Sequence, residues 1–206
     1  MTDPCPIVHV IDDDDSVRKA VMRLLQAAGY EVQGYANAGE FLIGPPPPSS
    51  LGCIVLDVRM PGPSGLELQS ALQRQGSGLP IIFLTGHGDI PMSVQAIKGG
   101  AVDFLTKPVQ RQALLAAVQN ALDVQQQASS QRQRSNALRM LYQKLTARER
   151  EILRLVVEGK LNKQIASALG IAERTVKSHR AQLMEKMQVT SLAELVRTAS
   201  QIEHLD

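Results

Sequence analysis

Short, continuous apolar runs alternate with helically spaced apolar positions over the first 122 residues. Ile7–Ile11 has the length of a buried strand and ends abruptly in Asp12-Asp13-Asp14-Asp15. Val17, Val21, Leu24, Leu25 and Ala28 then recur at helical spacing and stop at Gly29. Glu31–Tyr35 reads as a second strand, Phe41 and Leu42 as part of a short helix, and Pro45 to Ser50 as a loop. Residues 53–56 form a further apolar strand that runs into Asp57, and 66–72 is helical. Residues 80–84 form a strand ending at Thr85-Gly86, and 92–97 a helix stopped by Gly99-Gly100. A last strand over 102–105 precedes Lys107-Pro108, and a helix over 114–122 closes the region.

Strands alternating with helices predict right-handed βαβ units and a parallel sheet covered on both faces. Unbroken apolar strands suit that double burial. In such sheets the working residues lie beyond the carboxyl ends of the strands. Here four strand ends carry chemistry: Asp12 with Asp13, Asp57, Thr85 and Lys107. Each alone reads blandly, as a solvated acidic loop, a turn, or a turn entry before proline. Their ordered combination is what argues for a site. Asp12, Asp13 and Asp57 in one crevice need a cation, and hard oxygen ligands select Mg²⁺ or Mn²⁺. A metal-bound carboxylate can attack phosphorus, while a hydroxyl (Thr85) and an ammonium (Lys107) bind the other phosphoryl oxygens. The aspartate run leaves two registers for the metal pair, 12 with 13 or 13 with 14. The first is favoured because the apolar strand ends directly before Asp12.

The pattern changes at Val124. Residues 124–136 are rich in Gln, Ser and Arg with no Pro or Gly, and read as a linker whose composition favours helix. From Leu138 onward the spacing is helical, with breaks near Gly159, Gly170 and Val189-Thr190. Thr146 with Glu149 three residues on forms a capping box, followed by Ile152, Leu155 and Val156 at helical spacing. Asn162–Leu169 is a short helix closed by Gly170, and the next helix carries Val176, Leu183 and Met187 along one side. Two helices across a glycine turn, the second bearing cations, form a helix-turn-helix pattern. With that stripe against a core, Lys177, Ser178, Ala181 and Gln182 project to where a major groove would lie. Lys163, Thr175, Arg180 and Lys186 flank them for phosphate contact. Two readings stand for His179, a phosphate contact or a buried structural residue, and Arg174 is not assigned.

Charge separates the same two parts. Residues 1–123 carry 12 Asp/Glu against 8 Lys/Arg, a net −4, whereas 124–206 carry 8 against 14, a net +6. The basic part is the candidate for a polyanion partner. Aromatic content is 3% with no Trp, which argues against stacking of single-stranded bases. Cys5 and Cys53 make neither a disulfide framework nor a metal-ligand spacing. No 18-residue apolar stretch and no basic leader before Asp3 is found, so the expectation is a cytoplasmic protein that does not engage a membrane.

Four stretches of residues 7–122 carry a resemblance to the receiver domain of two-component response regulators. They are Val10-Ile11-Asp12-Asp13, Leu56-Asp57-Val58-Arg59-Met60-Pro61-Gly62, Leu84-Thr85-Gly86-His87-Gly88-Asp89, and Gly100-Ala101-Val102-Asp103-Phe104-Leu105-Thr106-Lys107-Pro108. The resemblance implies a flavodoxin-like, doubly wound α/β domain with a five-stranded parallel sheet, and Asp57 as phosphoacceptor. It implies a metal held by Asp13, Asp57 and the Arg59 main-chain carbonyl, with Asp12 acting through water. It also implies Thr85 and Phe104 as a switch pair, Lys107 as a phosphoryl contact, and a cis peptide before Pro108.

Residues 143–200 resemble the LuxR-type helix-turn-helix. The match rests on Leu145-Thr146-Ala147-Arg148-Glu149-Arg150-Glu151-Ile152-Leu153, Asn162-Lys163-Gln164-Ile165-Ala166, Leu169-Gly170-Ile171, Thr175-Val176-Lys177-Ser178-His179-Arg180 and Glu194-Leu195-Val196-Arg197. It implies an all-α, four-helix C-terminal domain that binds DNA as a dimer. Ala181 is small for a base contact and suits a thymine methyl. The order receiver, linker, LuxR-type domain is that of FixJ/NarL-type response regulators, and Gly86-His87-Gly88-Asp89 with the long linker resembles the FixJ branch more closely.

The expected organisation is a receiver over 1–123, a helical linker over 124–142 and the DNA-binding domain over 143–206. The expected partners are a sensor histidine kinase, double-stranded promoter DNA, RNA polymerase and, on phosphorylation, a second copy of the chain. That copy would pair through the face made by 90–99, 102–106 and 111–122. No enzyme activity is expected. The enzyme rival, an aspartate-dependent phosphohydrolase, needs a second carboxylate two residues after its nucleophile, where this chain has Arg59. A third reading makes the C-terminal part a protein-interaction module, which duplex-DNA binding and its salt dependence discriminate.

Overall fold

The computed structural model describes residues 5–47, 50–86 and 90–203, with side chains described to Ser200. Residues 87–89 of the Gly86–Asp89 motif, and Pro48 and Ser49 of the proline-rich loop, lie outside the described residues. The chain divides into two compact units, residues 1–129 and 130–206.

In the first unit, β1 (Ile7–Ile11), β2 (Glu31–Tyr35), β3 (Gly52–Asp57), β4 (Ile81–Thr85) and β5 (Asp103–Thr106) form one parallel sheet in the order β2-β1-β3-β4-β5. The connecting helices are α1 (Asp15–Ala27), α2 (Ala38–Ile43), α3 (Gly65–Arg74) and α4 (Ile90–Lys98), and α5 (Arg111–Gln143) follows β5. The sheet is doubly wound, as the alternation predicts.

Strand alternation sorts the core into two layers. Val8, Val10, Cys53, Val55, Ile82 and Leu84 pack with Val21 and Leu25 of α1 and with Leu114, Val118 and Ala121 of α5. Ile11, Ile54, Leu56, Ile81 and Phe83 face Phe41 of α2, Leu68 and Leu72 of α3 and Ala96 of α4. β1 and β3 approach at Gly52, where φ is +154° and a Cβ would stand 2.0 Å from the Ile7 carbonyl oxygen. Any side chain there would push the two central strands apart.

β3 begins one residue before the predicted run and takes in Asp57. β5 is shifted one residue onward, and the Val102 amide donates to the Ile81 carbonyl at 2.8 Å just before it. The 124–136 stretch is helical, as its composition favours, and belongs to α5. The packing of the first unit reaches past residue 123: the side chain of Gln125 is buried, accepts from the Gly52 amide at 2.7 Å and donates to the Ser50 carbonyl at 2.8 Å.

The second unit contains α6 (Ala147–Val157), α7 (Asn162–Leu169), α8 (Glu173–Lys186) and α9 (Leu192–Glu203). Thr146 and Glu149 close the predicted capping box of α6. Gly170 ends α7 in the left-handed region at φ 64°, which lets α8 start three residues later in a new direction. Ile152, Val156, Ile165, Val176, Leu183, Met187 and Leu195 form the core, with Leu138, Leu141 and Tyr142 from the end of α5 packed against it. Among the described residues, no helix is long and apolar enough to cross a membrane.

Candidate functional site

The order of strands reverses direction between β1 and β3, which opens a crevice at their carboxyl ends. The register pairs Ile11 with Leu56 and Asp57 with Leu84, so Asp12, Asp57 and Thr85 emerge side by side there. Asp12, Asp13 and Asp57 each offer a carboxylate oxygen, and the three oxygens lie within 4.8 Å of one another. Asp12 and Asp57 are buried and Asp13 is exposed. Lys107 reaches both buried acids, with Nζ 2.6 Å from Asp12 Oδ2 and 2.7 Å from Asp57 Oδ2.

These contacts set the charges. Burial pushes the Asp12 carboxyl up from its ordinary range, and the Lys107 ammonium opposes that rise. Burial works against the charge on Lys107, but its hydrogen bonds to Asp12 and Asp57 outweigh this and hold its pKa above the usual value. The site therefore keeps a firm cation between two acids.

The aspartate run divides its labour. Asp14 caps α1, accepting from the Ser16 and Val17 amides at 2.9 and 3.1 Å. Asp15 pairs with Arg18 at 2.6 Å and Lys19 at 2.7 Å. That leaves 12 and 13 to converge with Asp57, the favoured register. The role of Asp14 is readable in hindsight, since an aspartate immediately before a helical pattern is a cap signal.

The turn after β3 brings the Arg59 amide to Asp57 Oδ1 at 3.2 Å. Gly65 then starts α3 directly against the strand end, where a Cβ would stand 2.3 Å from the Asp57 carbonyl oxygen. Thr85 is 1% exposed, and its carbonyl accepts from the Lys107 amide at 2.7 Å. Phe104 is half-buried on the same sheet face as Phe83, with ring centroids 6.2 Å apart. The peptide bond between Lys107 and Pro108 is cis. An all-oxygen donor set of three carboxylates at this spacing fits a hard divalent cation.

On α8 and at its C-cap, Val176, Leu183 and Met187 face the core, and Lys177, Ser178, Ala181 and Gln182 are exposed, as the stripe predicts. Lys163 is exposed, and Thr175, His179 and Arg180 are half-buried. Arg180 Nη1 donates to Asn162 Oδ1 at 2.5 Å, which ties α8 to the start of α7. Lys186, expected to flank the groove, has a partner within the domain. Its Nζ lies 2.7 Å from both carboxylate oxygens of Glu149, a residue 2% exposed, so its charge serves the domain's interior. The sequence shows Glu149 as a capping residue but not as the partner of a lysine 37 positions away.

Residues 8–119 match the family described as response regulator receiver domain, and residues 143–199 match the one described as bacterial regulatory proteins, luxR family. Response regulator protein TodT of Pseudomonas putida is 43% identical over 98% of this chain and 89% of its own length. Transcriptional regulatory protein FixJ of Azorhizobium caulinodans is 45% identical over 93% of this chain and 90% of its own. The solved structure of response regulator StyR shares 47% identity and superposes with a TM-score of 0.88, covering 96% of this chain and 100% of that one. A receiver implies a sensor kinase as partner, and a luxR-type domain implies DNA binding. The chain belongs to the FixJ/NarL-type response regulators, transcriptional regulators of two-component systems in which a receiver is joined to a LuxR-type DNA-binding domain.

Proposed function

We propose that Asp57 accepts a phosphoryl group from a sensor histidine kinase, that this pairs two receivers, and that the pair binds promoter DNA. The observation that supports it is the meeting of Asp12, Asp13 and Asp57 around one ammonium, Lys107, at the strand ends. An Asp57 carboxylate oxygen forms the new O–P bond as the P–N bond to the kinase histidine breaks, and the imidazole keeps the electron pair. Asp12, Asp13 and Asp57, with the Arg59 main-chain carbonyl, would hold Mg²⁺ or Mn²⁺, which supplies positive charge for the phosphoryl oxygens. Lys107 turns from the carboxylates to a phosphoryl oxygen, and the Thr85 hydroxyl donates to another. No carboxylate stands two residues after Asp57 to activate water, so the domain acts as a switch and not as a hydrolase.

The added charge biases a packed element with two arrangements. Thr85 moves toward the phosphoryl group and Phe104 fills the space it leaves. That repacks α4, β5 and the start of α5, where Ile90, Val94 and Ile97 are 79%, 45% and 49% exposed. A second receiver covers these side chains. Two tethered DNA-binding domains then gain from effective concentration on a two-fold site, with α8 in the major groove. Lys177, Ser178, Ala181 and Gln182 face base edges, and Lys163, Thr175, His179 and Arg180 face phosphates. Recruitment of RNA polymerase in the cytoplasm completes the reading.

Light scattering on the full chain, with and without Mg²⁺ and beryllofluoride, tests the pairing step. A dimer that forms only with Asp57 intact supports it. An unchanged mass refutes it.

A further inference from the structure

Arg18 stands in the first turn of α1 and belongs to no part of the phosphoryl-accepting set. Its side chain is nonetheless 15% exposed, and both ends of its guanidinium are engaged. Nη1 donates to the Asp12 main-chain carbonyl at 2.6 Å, and Nη2 pairs with the Asp15 carboxylate at 2.6 Å. One planar group therefore spans the turn on either side of Asp13. The stem of Arg18 lies across β2 at Gly34, where a Cβ would stand 3.6 Å from Arg18 Cδ and 2.5 Å from Met22 Sδ. The absence of a side chain at 34 gives both stems their room.

The rest of the turn is held as tightly. The Asp12 amide donates to the Tyr35 carbonyl at 3.1 Å, Asp12 Oδ1 accepts from the Asp14 amide at 3.0 Å, and Asp14 caps the helix. Asp13 alone has no such tether in the turn and is exposed. Its direction is fixed by the peptides before and after it: Arg18 holds the first at the Asp12 carbonyl, and Asp12 Oδ1 holds the second at the Asp14 amide. Arg presents two parallel donors in a fixed plane, which Lys does not.

We propose that Arg18 is a positioning residue for the acid site: by bridging the Asp12 carbonyl and the Asp15 carboxylate, it fixes the turn that presents Asp13 to Asp57, and so sets how tightly the site takes a divalent cation. The inference rests on the reading that Asp12, Asp13 and Asp57 hold such a cation. Coulomb's law alone predicts the opposite sign. Removing a positive charge beside three carboxylates should tighten Mg²⁺ binding, whereas loosening the turn should weaken it.

Calorimetric titration of the full chain with Mg²⁺ separates the two, alongside Arg18→Gln, Arg18→Lys and thermal unfolding of each. The expected result is an approximately tenfold weaker Kd in Arg18→Gln, in the range that groups orienting metal ligands command. Arg18→Lys should recover only part of it, because it keeps the charge and the stem but loses the fork. Tighter or unchanged Mg²⁺ binding in Arg18→Gln overturns the proposal, as does a lowered Tm with Kd unchanged, which would mark a merely structural role. Full recovery by Lys would also overturn it, since charge without planar geometry would then suffice. If the unsubstituted chain takes up no Mg²⁺, the reading of the metal site fails first, which is a distinct result.

Discussion

Replacing Lys186 by Met tests whether that lysine serves the domain or the DNA. Its ammonium is 2.7 Å from both oxygens of Glu149, whose side chain is 2% exposed while that of Lys186 is 36% exposed. Removing one partner of a buried pair costs about 3–5 kcal/mol, because the remaining charge is left without compensation. The open lysine end admits solvent, so the figure falls to about 2–3 kcal/mol for Lys186→Met. Glu149→Gln should cost less, about 1 kcal/mol, because the freed lysine can turn to water and the amide oxygen can still accept from Thr146. For a unit of this size each kcal/mol moves Tm by about 4–8 °C. Lys186→Met should therefore lower the C-terminal unit's transition by roughly 10 °C or more, and Glu149→Gln by about half of that.

The pH dependence has a definite sign. Burial raises the Glu149 carboxyl, but the Lys186 ammonium and the Thr146 hydrogen bonds outweigh it and hold its pKa below the usual value. Its stabilisation is thus fully present above the ordinary carboxylate range and is lost as pH falls through the depressed value. Glu149→Gln should flatten that loss. Scanning calorimetry of the full chain reads all three effects. The reasoning is refuted if Glu149→Gln costs more than Lys186→Met. It is refuted also if Lys186→Met leaves Tm unchanged and lowers the salt slope of DNA binding by about one, the mark of a lost phosphate contact.

Three further outcomes are expected. His9 is 2% exposed, and burial lowers its pKa to about 4, so its neutral form is favoured in the fold. Stability should drop by about 2 kcal/mol from pH 7 to pH 5 on its account, and urea midpoints should lose most of that dependence in His9→Phe. Gln125→Ala strands the Gly52 amide and the Ser50 carbonyl, so it should destabilise the receiver by about 1–3 kcal/mol in the same assay. Asp13→Asn should weaken Mg²⁺ binding at least about tenfold. Asp14→Asn, which keeps a good helix cap, should change it far less; equal effects would move the metal pair to 13 and 14.

The features that could be read in advance are those written locally. β1, β3 and β4 are apolar because both sheet faces are covered, and their acidic or hydroxyl ends stand out against that background. Thr146 with Glu149, and Gly170, announce α6 and the end of α7 because caps follow from backbone geometry. The contacts that escaped are distant ones made by ordinary residues. Gln125 lies in a Gln-rich stretch and looks like linker, yet it meets two backbone groups at the head of β3. Lys186 looks like any solvent-facing cation until α6 places Glu149 beneath it. Arg18 follows four aspartates and reads as charge balance, whereas its reach to a main-chain carbonyl depends on how tightly the turn closes.

Whether Asp57 is the phosphoacceptor is decided by intact-mass spectrometry of the full chain after incubation with acetyl phosphate and Mg²⁺. The expected result is a single phosphoryl adduct that is removed by hydroxylamine, as an acyl phosphate is, and that is absent from Asp57→Asn. An adduct of the same yield in Asp57→Asn, or none in the unsubstituted chain, would contradict it.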